Sequence, residues 1–101
     1  SWATEGIINN PAADAILADT GKLSSGEKVF LILLWDDIAG IEMLLQWRNA
    51  ANTSNNKQHI IRNATMGDKL IVRFKVLVGE RVRILNRTLI SGNAQASIFS
   101  A

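Results

Sequence analysis

Residues 29–37 read VFLILLWDD, seven apolar residues in succession followed by two aspartates. Successive side chains of a strand point to opposite faces. Phe30, Ile32 and Leu34 therefore share one side, and Val29, Leu31, Leu33 and Trp35 share the other. A two-sheet domain of 101 residues buries one face of each sheet and leaves the other in water. Exposing three or four large side chains forgoes about 1.5–3 kcal/mol each and leaves the kind of patch that soluble monomers avoid. Something must cover the second face. The candidates are the segment 1–20 of the same chain or a symmetry mate.

The flanking sequence continues in the same β pattern. LSSGE before the run reads as a turn into a strand at 28–35. In IEMLLQWR, Ile41, Met43, Leu45 and Trp47 share one parity, with Leu44 the exception on the other. NAANTSNN carries four asparagines and reads as a loop, and KQHIIRN as a short strand. In KLIVRFKVL, Leu70, Val72, Phe74 and Val76 alternate with Lys69, Ile71, Arg73, Lys75 and Leu77, the clearest period-2 stretch of the chain. VGE connects to RVRILNRT, with Val82 and Ile84 inward and Arg81, Arg83 and Arg87 outward. After SGN, AQASIF puts Ala94, Ala96 and Ile98 on one face.

Six or seven strands with turn signals between them predict an all-β chain, an antiparallel sandwich or barrel. One competing reading is a helix over 38–50, which Gly40 and the asparagine cluster disfavour. Residues 1–20 are expected to form an N-terminal arm with a brief helix or edge strand over 12–18, and residues 21–101 the sandwich.

The chain has no cysteine, which removes disulfides, thiol catalysis and thiolate metal sites. A seven-residue apolar run is far short of the roughly 20 residues that span a bilayer, so no membrane contact is expected. The opening SWATEGIINN lacks the basic and apolar regions of a signal peptide, and the expectation is a complete, cytoplasmically made chain. Charge is uneven. Residues 1–46 hold seven acidic residues against two lysines, and residues 47–101 hold nine Lys/Arg against Asp68 and Glu80. Acidic and basic strand or subunit edges facing each other account for such halves more simply than a nucleic-acid surface does.

No catalytic constellation is visible, and no enzymatic activity, metal or cofactor is expected. His59 is the lone histidine and reads as a strand or loop residue with an ordinary hydrogen bond. Asp36 and Asp37 are adjacent, so on a strand they point to opposite faces and make a poor acid–base pair; they read as a solubilising strand end. No serine stands in a nucleophile-elbow context. Lys69, Arg73, Lys75, Arg81, Arg83 and Arg87 lie outward on two consecutive strands and, as one stripe, would suit phosphate. The stripe lacks stacking aromatics, which makes nucleic acid the weakest of three partner readings. A glycan site using Trp2, Trp35 and the loop asparagines Asn52, Asn55 and Asn56 is the second. Three glycosylation sequons begin at Asn52, Asn63 and Asn86, but self-bonded asparagine loops explain such strings more simply.

The strings LSSGEKVFLILL, LQWRNAANTSN, GERVRILN and SGNAQASIF, spanning residues 23–99, resemble the small jelly-roll modules of phage virion and tail proteins. More distantly they are similar to trimeric jelly rolls of the complement C1q and tumour-necrosis-factor type. The resemblance implies a structural or adhesive role in a virion, made in the host cytoplasm, possible contact with other virion proteins included. VFLILLW departs from the polar alternation usual at that strand, which implies a more hydrophobic interface. The leading expectation is thus a self-assembling, cyclic homo-oligomer. Its apolar contacts would be Leu31, Leu33, Trp35, Leu44, Ile71, Leu77 and Leu85. Arg73, Arg83 and Arg87 would be charged partners of Asp36, Asp37 or Glu42.

Overall fold

The computed structural model describes residues 5–9, 15–36, 41–64, 68–87 and 93–100. They form eight strands: β1 (Glu5–Asn9), β2 (Ala15–Asp19), β3 (Gly26–Asp36), β4 (Ile41–Arg48), β5 (Asn55–Ala64), β6 (Asp68–Val76), β7 (Arg81–Asn86) and β8 (Asn93–Ser100). No helix occurs among the described residues. The pairing has a simple rule. β4 pairs with β5, β3 with β6, β2 with β7 and β1 with β8, all antiparallel, as if the chain were doubled back at the β4–β5 hairpin. Rolling that long hairpin brings β3 against β8 and β4 against β7. Two four-stranded sheets result, ordered β1-β8-β3-β6 and β2-β7-β4-β5. This is the strand order of an eight-stranded jelly roll, in which every connection except β4–β5 passes from one sheet to the other.

The core lies between the sheets. β3 contributes Phe30, Ile32 and Leu34 and β8 contributes Ala96 and Ile98; Met43, Leu45, Val82 and Ile84 face them from β4 and β7. Within each strand these share one parity, as alternation predicts. β2 departs from alternation. A bulge between Ile16 and Ala18 lets the consecutive residues Leu17 and Ala18 both bury.

The N-terminal segment is part of the sandwich. Of the two readings open for residues 12–18, the edge strand is the one found, over 15–19. β1 and β2 are the edge strands of the two sheets, paired to β8 and β7. A five-residue strand carries too little periodicity to announce itself, and its neighbours supply its hydrogen bonds. Residues 5–9 and 15–19 are thus committed to sheet edges and do not lie across the outer side of β3. Among the described residues, the expectation that β3 is buried on both faces is met on one side only.

One end of the sandwich is closed by three interlocking connections. Leu77-Val78-Gly79-Glu80 is a tight turn with a Glu80 N–H bond to the Leu77 carbonyl at 3.1 Å and φ of 86° at Gly79. A positive φ at the third position is what a type II turn requires, and glycine adopts it without a Cβ clash. The Glu80 side chain is buried there. Its Oε1 accepts from the Leu77 N–H at 2.6 Å and the Trp47 indole N–H at 3.1 Å, and its Oε2 accepts from the Asn56 amide at 2.6 Å. The Glu80 carbonyl accepts from Leu23 N–H, and the Leu23 carbonyl from Gly79 N–H, both at 2.8 Å. The Glu80 carboxylate therefore ties the β4–β5 and β6–β7 regions together, and the backbone of Gly79 and Glu80 adds the β2–β3 connection.

Candidate assembly surface

The register decides which outward residues meet. On the outer side of β1-β8-β3-β6, Leu31 lies opposite Phe99 on β8 and Ile71 on β6. Leu33 lies opposite Ser97 and Lys69. Phe99, Leu31 and Ile71 thus form a cross-strand row, flanked by Leu33 on one side and Val29 on the other. Leu31 and Val29 are half-buried, whereas Phe99 is 38% exposed, Leu33 39% and Ile71 72%. No described segment covers them. The edge strand β6 borders the row with Lys69, Arg73 and Lys75, all exposed, and Lys75 stands opposite Glu27. Charges on an edge strand hinder strand-to-strand pairing.

The other sheet covers its two outward leucines internally, while Ile16 on its edge strand is 49% exposed. Leu44 and Leu85 are paired to each other, with Ile60 beyond Leu44 and Ile16 beyond Leu85. Each central leucine is flanked by aliphatic neighbours on both sides, and exposure falls to 7% for Leu44 and 5% for Leu85. Neither is available to a partner, so both leave the predicted contact set. The remaining outward row is polar and bonded. Gln46, itself buried, donates to Gln58 at 2.7 Å and accepts from the Arg83 Nε–H at 2.7 Å. Arg81 meets Asp19 at 3.5 Å. Burial, then the nearby Arg48 charge, lowers the Arg83 pKa from its ordinary value; Asp19 opposes this and Arg81 adds to it.

The other predicted contacts divide further. Leu77 is exposed, but on the β6–β7 turn, next to exposed Val78 and away from the sheet face. Trp35 stands opposite Gln95 in the register; its side chain and that of Asp36 lie outside the described residues, as does Asp37. Arg87 and Glu42, expected to pair across an interface, approach each other at 4.0 Å within one chain. Arg83 is engaged by Gln46. Arg73 alone of the three arginines stands on the apolar face, opposite Val29. Phe99 was not among the sequence candidates. Its signal was legible, as the outward neighbour of inward Ile98.

The two alternative sites are not assembled. The basic stripe is split, because β6 and β7 belong to different sheets: Lys69, Arg73 and Lys75 lie on one outer face and Arg81, Arg83 and Arg87 on the opposite one. Alternation along consecutive strands cannot reveal a crossover between them. The glycan set is likewise scattered. Trp2 lies outside the described residues. Trp35 stands near the end of β3 remote from the 49–54 loop, since β3 and β4 begin at opposite ends of the sandwich. The loop asparagines are occupied: Asn52 and Asn55 side-chain oxygens accept from Arg48 at 2.9 and 3.0 Å, and the Asn56 amide serves Glu80. Asn49 braces the loop by accepting from the Thr53 N–H at 2.8 Å. Trp47 packs on the core and on Phe74, with ring centroids 5.4 Å apart. Asn86, which begins a sequon, is fully buried.

No family model matches the chain, and no curated protein or solved structure matches it.

Proposed function

We propose that this protein is a non-enzymatic jelly roll that self-associates through the outer face of β1-β8-β3-β6 as a building block of a viral particle, whether capsid, decoration or tail. The observation that carries the reading is the Phe99–Leu31–Ile71 row with Leu33, an apolar patch that no described residue covers, whereas Leu44 and Leu85 of the other sheet are buried. Covering such a patch is worth about 1.5–3 kcal/mol per large side chain before association costs. Closed cyclic symmetry satisfies every copy's patch equally. The strand order and the four quoted strings support the particle context.

Light scattering of the purified chain at micromolar concentration tests the reading. A defined oligomer is expected, and a monomer would sink the proposal. Ile71→Glu, at a position 72% exposed, is expected to weaken association at least tenfold while leaving the fold intact. Association should survive high salt, because its driving force is apolar rather than ionic.

A further inference from the structure

The two sides of the sandwich differ. At one side the edges β1 and β2 lie against each other, and β2 also touches β8. At the other, β5 and β6 are consecutive in sequence but belong to different sheets and make no paired ladder. Between them the core is open. Leu70, Val72 and Phe74 occupy the inward positions of β6, yet all three are only partly buried, unlike Phe30 and Ile32 on the adjoining strand. With Leu45 they floor a groove of about 310 Å³, at the small end of the range for ligand sites.

The rim of this groove is cationic. Lys57 and His59 hold inward register positions on β5, opposite Trp47 and Leu45, where alternation calls for apolar residues. Arg73 of β6 completes the lining. All three are exposed. None makes a side-chain hydrogen bond or ion pair among the described residues, and among the described side chains no acidic one lines the groove. In the same molecule Arg48, Arg81, Arg83 and Arg87 all have partners. Lys57 and Arg73 thus stand as two unpaired positive charges over an apolar floor, with His59 beside them.

We propose that this groove binds a small amphipathic carboxylate, with its hydrocarbon part against Leu45, Leu70, Val72 and Phe74 and its carboxylate at Lys57, His59 and Arg73. Charge complementarity selects an anion, and lysine and arginine supply charge-assisted donors. The floor selects an apolar tail over a bare inorganic anion, whose hydration the floor cannot replace. The volume restricts the tail to a medium chain or a single aromatic system. This site lies between the sheets and shares with the proposed assembly face only Arg73 of the edge strand, which borders both.

Decanoate titrated into the isotope-labelled chain and followed by two-dimensional NMR tests the assignment. The expected result is saturable one-to-one binding at about 0.1–1 mM, in line with modest ligand efficiency, with shifts clustered on Leu45, Lys57, His59, Leu70, Val72 and Phe74. The double variant Lys57→Gln/Arg73→Gln alters only exposed side chains and should weaken binding at least fivefold. Val72→Phe should weaken it by filling the floor. Decyltrimethylammonium, with the same tail and the opposite charge, should not saturate. The proposal is overturned if decanoate gives no saturable shifts, if the double variant binds as tightly as the parent, or if the cation binds equally well. It is also overturned if the shifts map to Leu31, Leu33, Ile71 and Phe99, which would make decanoate a mimic of a partner on the outer face. Repeating the titration on Ile71→Glu separates the two readings, since loss of self-association leaves the groove unchanged.

Discussion

Glu80 shows how much one side chain can organise. It is buried at the closed end and accepts from an indole, an amide and a backbone N–H that come from three parts of the chain. Removing an acceptor strands its donors, which costs more than the net value of the bonds. Glu80→Ala is expected to destabilise the fold by about 2–4 kcal/mol, read from urea denaturation. Glu80→Gln keeps one carbonyl acceptor and should cost less. Asp19 acts by charge. It opposes the depression of the Arg83 pKa, caused first by burial and then by Arg48, and it meets Arg81 at 3.5 Å. Asp19→Asn retains an oxygen for the Gly21 N–H, which now donates to it at 2.8 Å, but leaves Arg48, Arg81 and Arg83 without that counter-charge. The expected loss is about 0.5–1 kcal/mol at low salt, shrinking as salt screens the arginines from one another. An equal loss at low and high salt would refute the electrostatic account.

Elements respond according to their place in a sheet. The β6–β7 turn depends on Gly79 at φ 86°, and a Cβ there would stand 3.4 Å from that of Ala50. Gly79→Ala should cost about 1–2 kcal/mol through backbone strain, measured as a shift in the denaturation midpoint with unchanged slope. Leu44 on β4 and Ile71 on β6 both break the simple inward-apolar pattern, yet they have opposite fates. Leu44 is central and packed between Leu85 and Ile60, whereas Ile71 is on an edge strand and open. A charge at Leu44 should therefore unfold the domain, seen by circular dichroism, while the same charge at Ile71 should change association alone. Period-2 patterning foretold β4, β6 and β7 and their inward residues, and the unbroken apolar run foretold β3 without choosing its inward side. It did not reveal β1 and β2 as full members of the sheets, because five residues define no period without their partners.

At the scale of the whole molecule, the crossovers matter most. Six of the seven connections pass between sheets, so residues adjacent in sequence are sent to opposite faces. This divides the apparent basic stripe, separates Trp35 from the asparagine loop, and leaves β5 and β6 bordering an open groove. It also places the exposed Leu33, Ile71 and Phe99 together on one sheet. If that sheet is the contact, substitutions at Phe99 and Leu33 should lower the scattering mass as Ile71→Glu does, and substitutions at exposed Leu77 and Val78 on the turn should not. Dissociation by Leu77→Asp instead would move the interface to the closed end.

The order of residues in this chain determined by itself that it is β-built, where its longest strands run and, β3 apart, which side of each faces the core, because alternation is a local property written in neighbouring residues. Leu31, Leu33 and Ile71 as exposed apolar residues were legible for the same reason. Only the tertiary structure decided which outward leucines are covered, which arginines find partners and which side chains share a face. Those outcomes depend on registers between strands distant in sequence: Leu85 lies beside Leu44 and Phe99 beside Leu31 through pairings that no local pattern encodes.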